Sequence, residues 1–532
     1  MSTPVVQPRT GMRAAVEWLR WGWRQLTSMR TALLLLFLLA LAAIPGSVVP
    51  QRQVNPVTVA EFVSRHPRLA PWYSRVGLFE VFSSPWFAAI YLLLMVSLVG
   101  CIVPRTLRHT RALRADPPRA PVRLERLGAH HTWTTDDGSD AVLASARAAL
   151  ASRRYRVIEG SDDDGRRWLS AERGRHRETG NVLFHLALLA VLIGMALTAL
   201  LGFKASTLVV VGNGFANTIT QYDSYTAGRL VSTSRLAPFS LTVNSFTVRF
   251  ETGLEQFGAA REFDAAVTVV PRPGAPAVED HLLVNHPLHI GREEVHLIGH
   301  GYAPVFTVTD GAGDTTFSGP VAFLPQDGNF ASTGVLKMPD AKPDQLALQG
   351  LFLPTAVLDP ARGPVSVFPD AGNPMVYFTA YTGDLGLDDG SPTSVYALDT
   401  STLTQLSEDG EPFRVALEPG QTAQLPGGVG KVRFDGYQRW VNLQISSRPG
   451  TMVVFVGAVV ALGGISASLF ISRRRTFVGV REVAGRTVVT LAGLDQRAGA
   501  ERSTDGLVDD LAAVAAASGK PGLVDVEQES RT

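Results

Sequence analysis

The sequence predicts a polytopic α-helical membrane protein: four transmembrane helices, a large all-β extracytoplasmic domain and small α/β cytoplasmic pieces. Three observations predict it. The chain has 532 residues, 45% hydrophobic and 18% charged, and the apolar residues crowd into four blocks of eighteen to twenty-two. Arginines collect beside the blocks at the ends that four crossings place on one side. The long segment between the third and fourth blocks is acidic and full of short β-branched runs.

The blocks are residues 31–50 (TALLLLFLLALAAIPGSVVP), 86–103, 182–203 and 451–471. Each suffices for a hydrocarbon core of about 30 Å, which takes about 20 apolar residues. Four crossings put both termini on one side, and positive charge selects it. Residues 1–30 carry five Arg and one acid, residues 104–180 carry sixteen Arg and eleven acids, and Arg473, Arg474 and Arg475 follow the last block. Residues 204–450 instead hold fifteen Lys+Arg against twenty-five Asp+Glu. By the positive-inside rule the tail 1–30, the loop 104–181 and the tail 472–532 are cytoplasmic, and segments 51–85 and 204–450 are extracytoplasmic. ALAA before IPGS has the look of a signal-peptide cleavage site. The preceding tail, with Trp18, Trp21 and Trp23, better suits an interfacial amphipathic anchor.

In the cytoplasmic loop HHTWT reads as a strand, Ser139 to Ser152 as a helix, and YRVIEG and RWLSAE as strands flanking a DDDG turn, a β-α-β-β unit. The last tail reads as a hairpin of Phe477 to Glu482 with Thr487 to Leu491, a helix from Asp505 to Ser518 ending at Gly519, and a disordered last dozen residues. Neither piece has a sizeable core alone, so the two are expected to pack together. Residues 204–450 suffice for one large domain or two small ones, and runs such as TLVVV, AAVTVV, EVHLIGH, PVFTVTD and KVRFDGY, separated by Gly, Pro and Asp turns, predict a sandwich-like body. In FSLTVNSFTVRF the apolar parity switches between Val243 and Phe246, which predicts a bulge near Asn244.

Charge and cysteine content exclude several chemistries. Lys+Arg (49) and Asp+Glu (48) nearly cancel, so no global basic field points to nucleic acid. One cysteine, Cys101, excludes an intramolecular disulfide, a C-x-x-C redox pair and a C-x-x-C-H haem attachment site. No phosphate-binding glycine loop, G-x-S-x-G elbow or H-E-x-x-H occurs.

His185 is the one ionisable residue well inside a block, a turn beyond Asn181. Such residues are costly and face protein or a cavity. Two readings stand: a neutral imidazole bonded to a neighbouring helix, or a ligand or relay, with Leu188, Leu189 and Leu192 on the same face as a wall for a flat, apolar, iron-centred molecule. Five histidines fall in twenty residues: His281, His286, His289, His296 and His300. His296 and His300 would lie roughly 13 Å apart along a strand, and Pro287 separates His286 from His289, so these read as surface and turn residues rather than a metal site. His300, between two glycines, is the member to follow. Cys101 reads as a small buried hydrophobe, and Trp72, Trp86 and Trp440 as parts of an aromatic belt.

Taken in order, LTSMRTALLLLFLLALAAIPGSVVPQ, GLFEVFSSPWFAAIYLLLMVSLVGCIVPR, ERGRHRETGNVLFHLALLAVLIG, NHPLHIGREEVHLIGHGYAP and YQRWVNLQISSRPG resemble the ResB (CcsB) family of system II cytochrome c maturation proteins. The resemblance implies a multi-pass plasma-membrane subunit that works with a CcsA-type membrane protein, apocytochrome c and a thiol-reducing thioredoxin-like protein. Together they carry haem b, as transported substrate, outward and join its vinyl groups to the apocytochrome thiols. It implies that His185 is an axial ligand of the haem iron, that Cys101 is a looser candidate for haem contact, and that the catalytic site lies in the partner. WLRWGWR is not the partner's tryptophan-rich haem motif: it lies on the cytoplasmic side and lacks the acidic residue. A membrane-anchored structural or sensory protein with an outer binding domain is the alternative, and it gives no reason for His185.

Overall fold

The structure, a computed structural model, describes residues 11–52, 56–163, 165–232, 234, 236–253, 255–387, 396–495 and 505–519. The last dozen residues, expected to be disordered, lie outside the described residues, as do the first ten of the N-terminal tail. The chain divides into two units, one built from residues up to 195 and from 450 onward, the other from residues 196–449.

The first unit holds most of the helices. α1 (Gly11–Leu26) leads through Ser28, whose hydroxyl caps the next helix by accepting from Thr31 N–H, into α2 (Met29–Val48). Two short helices follow, α3 (Pro56–Arg65) and α4 (Ala70–Val76), then α5 (Pro85–Arg114), α6 (Ser139–Ser152) and α7 (His176–Leu201). After the second unit come α8 (Thr451–Phe470) and α9 (Asp505–Ala517). By length and composition α2, α5, α7 and α8 can cross a membrane. They are apolar around the whole circumference, so Leu36, Phe37, Phe455 and Leu462 stay exposed, as a helix bathed in lipid requires.

Small residues set how closely α7 and α8 approach. A Cβ on Gly180 would sit 2.7 Å from Gly464 O, and one on Gly464 2.7 Å from Phe184 N. Seven residues along each helix the contact recurs, with Gly457 against Ala187. Small faces are how helices pack where lipid removes the hydrophobic drive.

The loop between α5 and α7 and the tail after α8 form one sheet. Its antiparallel order is Ala129–Thr135, Arg486–Asp495, Arg474–Val483, Arg167–Arg173, Arg156–Ser161. The expected strands and helix of the loop are present in order, and the tail hairpin is inserted into the middle of the sheet rather than packed beside it. α6 and α9 cover one face, joining Leu143, Leu150, Leu169, Val478, Leu491 and Leu511 in a core. Buried charges stitch the two pieces: Glu172 holds Arg473 and Arg475, and Asp510 holds Arg153, Arg474 and Tyr155.

Beyond the end of α7, the second unit is all-β apart from single 3-10 turns among the described residues. Two eighteen-residue strands, Glu293–Asp310 and Gly430–Ser447, pair antiparallel along their length. A four-stranded sheet covers the end where Glu293–Asp310 begins and Gly430–Ser447 finishes, and shares a core of Val243, Val267, Leu282, Val295 and Leu443. A six-stranded sheet covers the opposite end around Phe306, Leu348, Phe352, Phe378 and Phe434. The body is therefore two sandwich-like lobes on one shared sheet. The bulge expected near Asn244 is present, as a register shift between Val243 and Ser245.

EVHLIGH and PVFTVTD, read from sequence as separate runs, are one strand that continues through Gly299, Gly301 and Pro304. The glycine that suggested a turn serves close packing instead: a Cβ on Gly301 would lie 2.3 Å from the ring of Trp440. Trp440 is accordingly no belt residue. It is 4% exposed and its indole N–H donates to the carbonyls of Tyr302 (2.9 Å) and Phe323 (3.1 Å).

Candidate functional site

α7 carries the one sequence candidate whose chemistry the structure sharpens. His185 is half-buried, and its Nδ1 lies 2.8 Å from the carbonyl oxygen of Asn181, one turn earlier. A carbonyl only accepts, so Nδ1 carries a proton, and in the neutral imidazole Nε2 then keeps its lone pair. An imidazole oriented in this way is set up as a metal ligand. The Phe184 ring stands edge-on to it at 5.1 Å, and Leu188, Leu189 and Leu192 on the same side are half-buried.

Side chains of α5 reach α7 on either side of His185 along the helix. Seven residues are about 20° short of two full turns, so Glu178, His185 and Leu192 share one face. Arg105 Nη2 reaches Glu178 at 3.4 Å, and His109 Nε2 meets the Thr179 hydroxyl at 2.9 Å. At the far end the Tyr91 hydroxyl donates to the Leu192 carbonyl. Long side chains thus bridge the two helices above and below His185. Sequence reasoning missed Arg105, Glu178 and Tyr91, although the heptad offset from His185 to Glu178 and Leu192 was there to find.

Cys101 is half-buried, and its thiol donates to the Thr27 carbonyl at 2.7 Å, beside Ser97, whose hydroxyl donates to Leu26 O at 2.6 Å. Both side chains tie α5 to the corner between α1 and α2. Gly100 completes that corner, since a Cβ there would meet Thr27 at 2.0 Å. In this place the cysteine packs helices.

The five clustered histidines fall apart in space. His281 pairs with Asp264 at 2.8 Å, which raises its imidazole pKa. His286 sits at a turn against Val284 O, and His289 and His296 flank Glu294, whose carboxylate also takes Arg448 at 2.8 Å. Among the described residues no group of three or more His, Cys, Asp or Glu is arranged to hold a metal ion. His300 differs. The register shift between Leu297 and Gly299 swaps the strand's parity, so His296 stays half-exposed while His300 turns inward and is 9% exposed. It stacks on Phe330 at 4.7 Å with Phe246 and Phe263 at 5.2 and 5.4 Å, and its Nδ1 has no hydrogen-bond partner. Burial, helped by the charge of Arg439, depresses its pKa to about 4, so it is a neutral aromatic wedge between the lobes.

Another buried group escaped the sequence reading. Glu293, 4% exposed, accepts from Asn217 Nδ2 at 2.6 Å and Ala237 N–H at 2.9 Å, and burial pushes its carboxyl up. Both oxygens are used within the fold, which makes it a brace for the segment around Ala237.

Comparison with known proteins gives a consistent relationship. The family model described as ResB-like family matches residues 29–505. The cytochrome c biogenesis protein CcsB of Synechococcus sp. (strain WH7803) is 25% identical over 458 residues, covering 84% of this chain and 88% of the relative. The protein of the same name from Synechococcus sp. (strain CC9311) is 23% identical over 461 residues, 84% of this chain and 87% of the relative. That of Nostoc sp. (strain PCC 7120 / SAG 25.82 / UTEX 2576) is 27% identical over 271 residues, 49% of this chain and 54% of the relative.

Proposed function

The chain belongs to the ResB-like family, and from that premise we propose that it works in cytochrome c biogenesis by holding haem, as cargo, on His185 within the membrane. The observation that carries this reading is the Nδ1 contact to Asn181 O. For a neutral ring it selects the tautomer that leaves Nε2 unprotonated, on a helix with no charged side chain from residue 186 to 201. A neutral imidazole in an apolar wall supplies what a porphyrin iron needs from a protein, one nitrogen lone pair and little water. The chain offers one such imidazole, so a CcsA-type partner completes the carrier and presents haem to apocytochrome c, whose thiols a thioredoxin-like protein keeps reduced. The arginine distribution supports α7 entering from the cytoplasmic side of the plasma membrane, with residues 204–450 outside. Cys101 has no part in this reading, because its thiol is turned to Thr27.

The test is a haem absorption spectrum of membranes expressing the chain with its CcsA-type partner. His185→Ala is expected to lower haem content severalfold, and added imidazole to restore part of it by occupying the vacated position. Haem content and cytochrome c assembly that do not change in the variant reject the proposal.

A further inference from the structure

We propose that Arg105, held by Glu178 at the start of α7, is the group that takes a propionate carboxylate of the haem whose iron rests on His185. The inference builds on the reading of His185 given above. Haem is a lopsided ligand, an apolar macrocycle with two carboxylates on one edge, so a site that holds its iron must also answer those charges. Glu178 lies seven residues before His185, about 10 Å along the axis at 1.5 Å per residue and within about 20° of the same face. That is the order of distance from a porphyrin's metal to its carboxylate tips. In the other direction along α7 there is no cation, since residues 186–201 are uncharged.

Arg105 and Arg473 both act on His109 together with Glu178, and Arg473 is itself paired with Glu172, which leaves Arg105 as the cation that Glu178 holds. The Arg105 and Glu178 side chains are 45% and 44% exposed and meet at 3.4 Å through one nitrogen. An ion pair that open is weak, and the guanidinium fork can exchange it for a carboxylate of better geometry. Glu178 then has a role of its own: it parks Arg105 over the stripe and competes with the incoming carboxylate.

The full-length chain in lipid nanodiscs, titrated with haem and with haem dimethyl ester, tests this. The wild type is expected to prefer the free diacid on the order of tenfold, the range of one charge-assisted hydrogen bond. Arg105→Gln removes the preference, Arg105→Lys keeps part of it, and Glu178→Gln enlarges it by removing the competitor. Opposite signs for the two glutamine variants are the signature, because a pair serving only helix packing moves both the same way. An unchanged preference in Arg105→Gln, or a parallel loss in both variants, overturns the proposal. The His185-dependent absorption band reads the underlying assignment separately: it persists in both glutamine variants, and its survival in His185→Ala sinks the haem reading instead.

Discussion

His300 shows how one misjudged side chain can still be put to a measurement. Its pKa falls from 6.5 to about 4 on folding. Above pH 6.5 both states are neutral there; below it the unfolded chain takes a proton that the folded chain refuses until about pH 4. Stability of the β unit therefore drops as pH falls through that window, by on the order of 3 kcal/mol, and levels off beneath it. The fluorescence of buried Trp440 during denaturant unfolding reads this, and His300→Phe is expected to flatten the slope and to raise stability at pH 5 by removing a buried nitrogen without a partner. An unaltered slope in His300→Phe removes the titration from His300. At His185 the sequence singled out a candidate but not its hydrogen bond: an ionisable group in an apolar block is conspicuous in one dimension, whereas which nitrogen donates depends on a carbonyl one turn away.

Elements with a strong period were legible, and those defined by distant pairing were not. The four apolar helices and the β-α-β-β loop were read from local pattern alone. Insertion of the strands Arg474–Val483 and Arg486–Asp495 between Ala129–Thr135 and Arg167–Arg173 was not legible, because partners more than 300 residues apart leave no local mark. Nor was the continuity of Glu293–Asp310, whose glycines and proline resemble a turn until Trp440 is seen lying on them. The inserted strands make a prediction of their own. Burial pushes the Glu172 carboxyl up, but Arg473 and Arg475 outweigh it and leave it below its ordinary value. Its contribution is therefore present above the ordinary carboxylate pKa and lost as pH falls through the lowered one. Glu172→Ala strands the guanidiniums of Arg175, Arg473 and Arg475 and is expected to cost about 3 kcal/mol, seen as faster amide hydrogen exchange in Arg474–Val483. Exchange at the wild-type rate would show that the pairing does not depend on the carboxylate.

For the molecule as a whole, both soluble parts derive from how the chain threads four apolar helices: the five-stranded sheet closes only if the loop after α5 and the tail after α8 share a side, which the structure shows by pairing them. The side proposed from arginine placement can be measured. With Cys101 replaced by Ser, a cysteine at exposed Val284 is expected to react with a membrane-impermeant thiol reagent in intact cells, and one at exposed Val483 only after permeabilisation. The reverse pattern inverts the proposed topology and with it the proposed direction of haem movement. The account turns most directly on the bond between His185 and iron. Resonance Raman spectra of the haem-loaded complex, prepared with natural and with 15N-labelled histidine, are predicted to show an isotope-sensitive iron–nitrogen band in the wild type that is diminished or absent in His185→Ala. The same band at full intensity in the variant would contradict the account, since the iron would then be held by other residues.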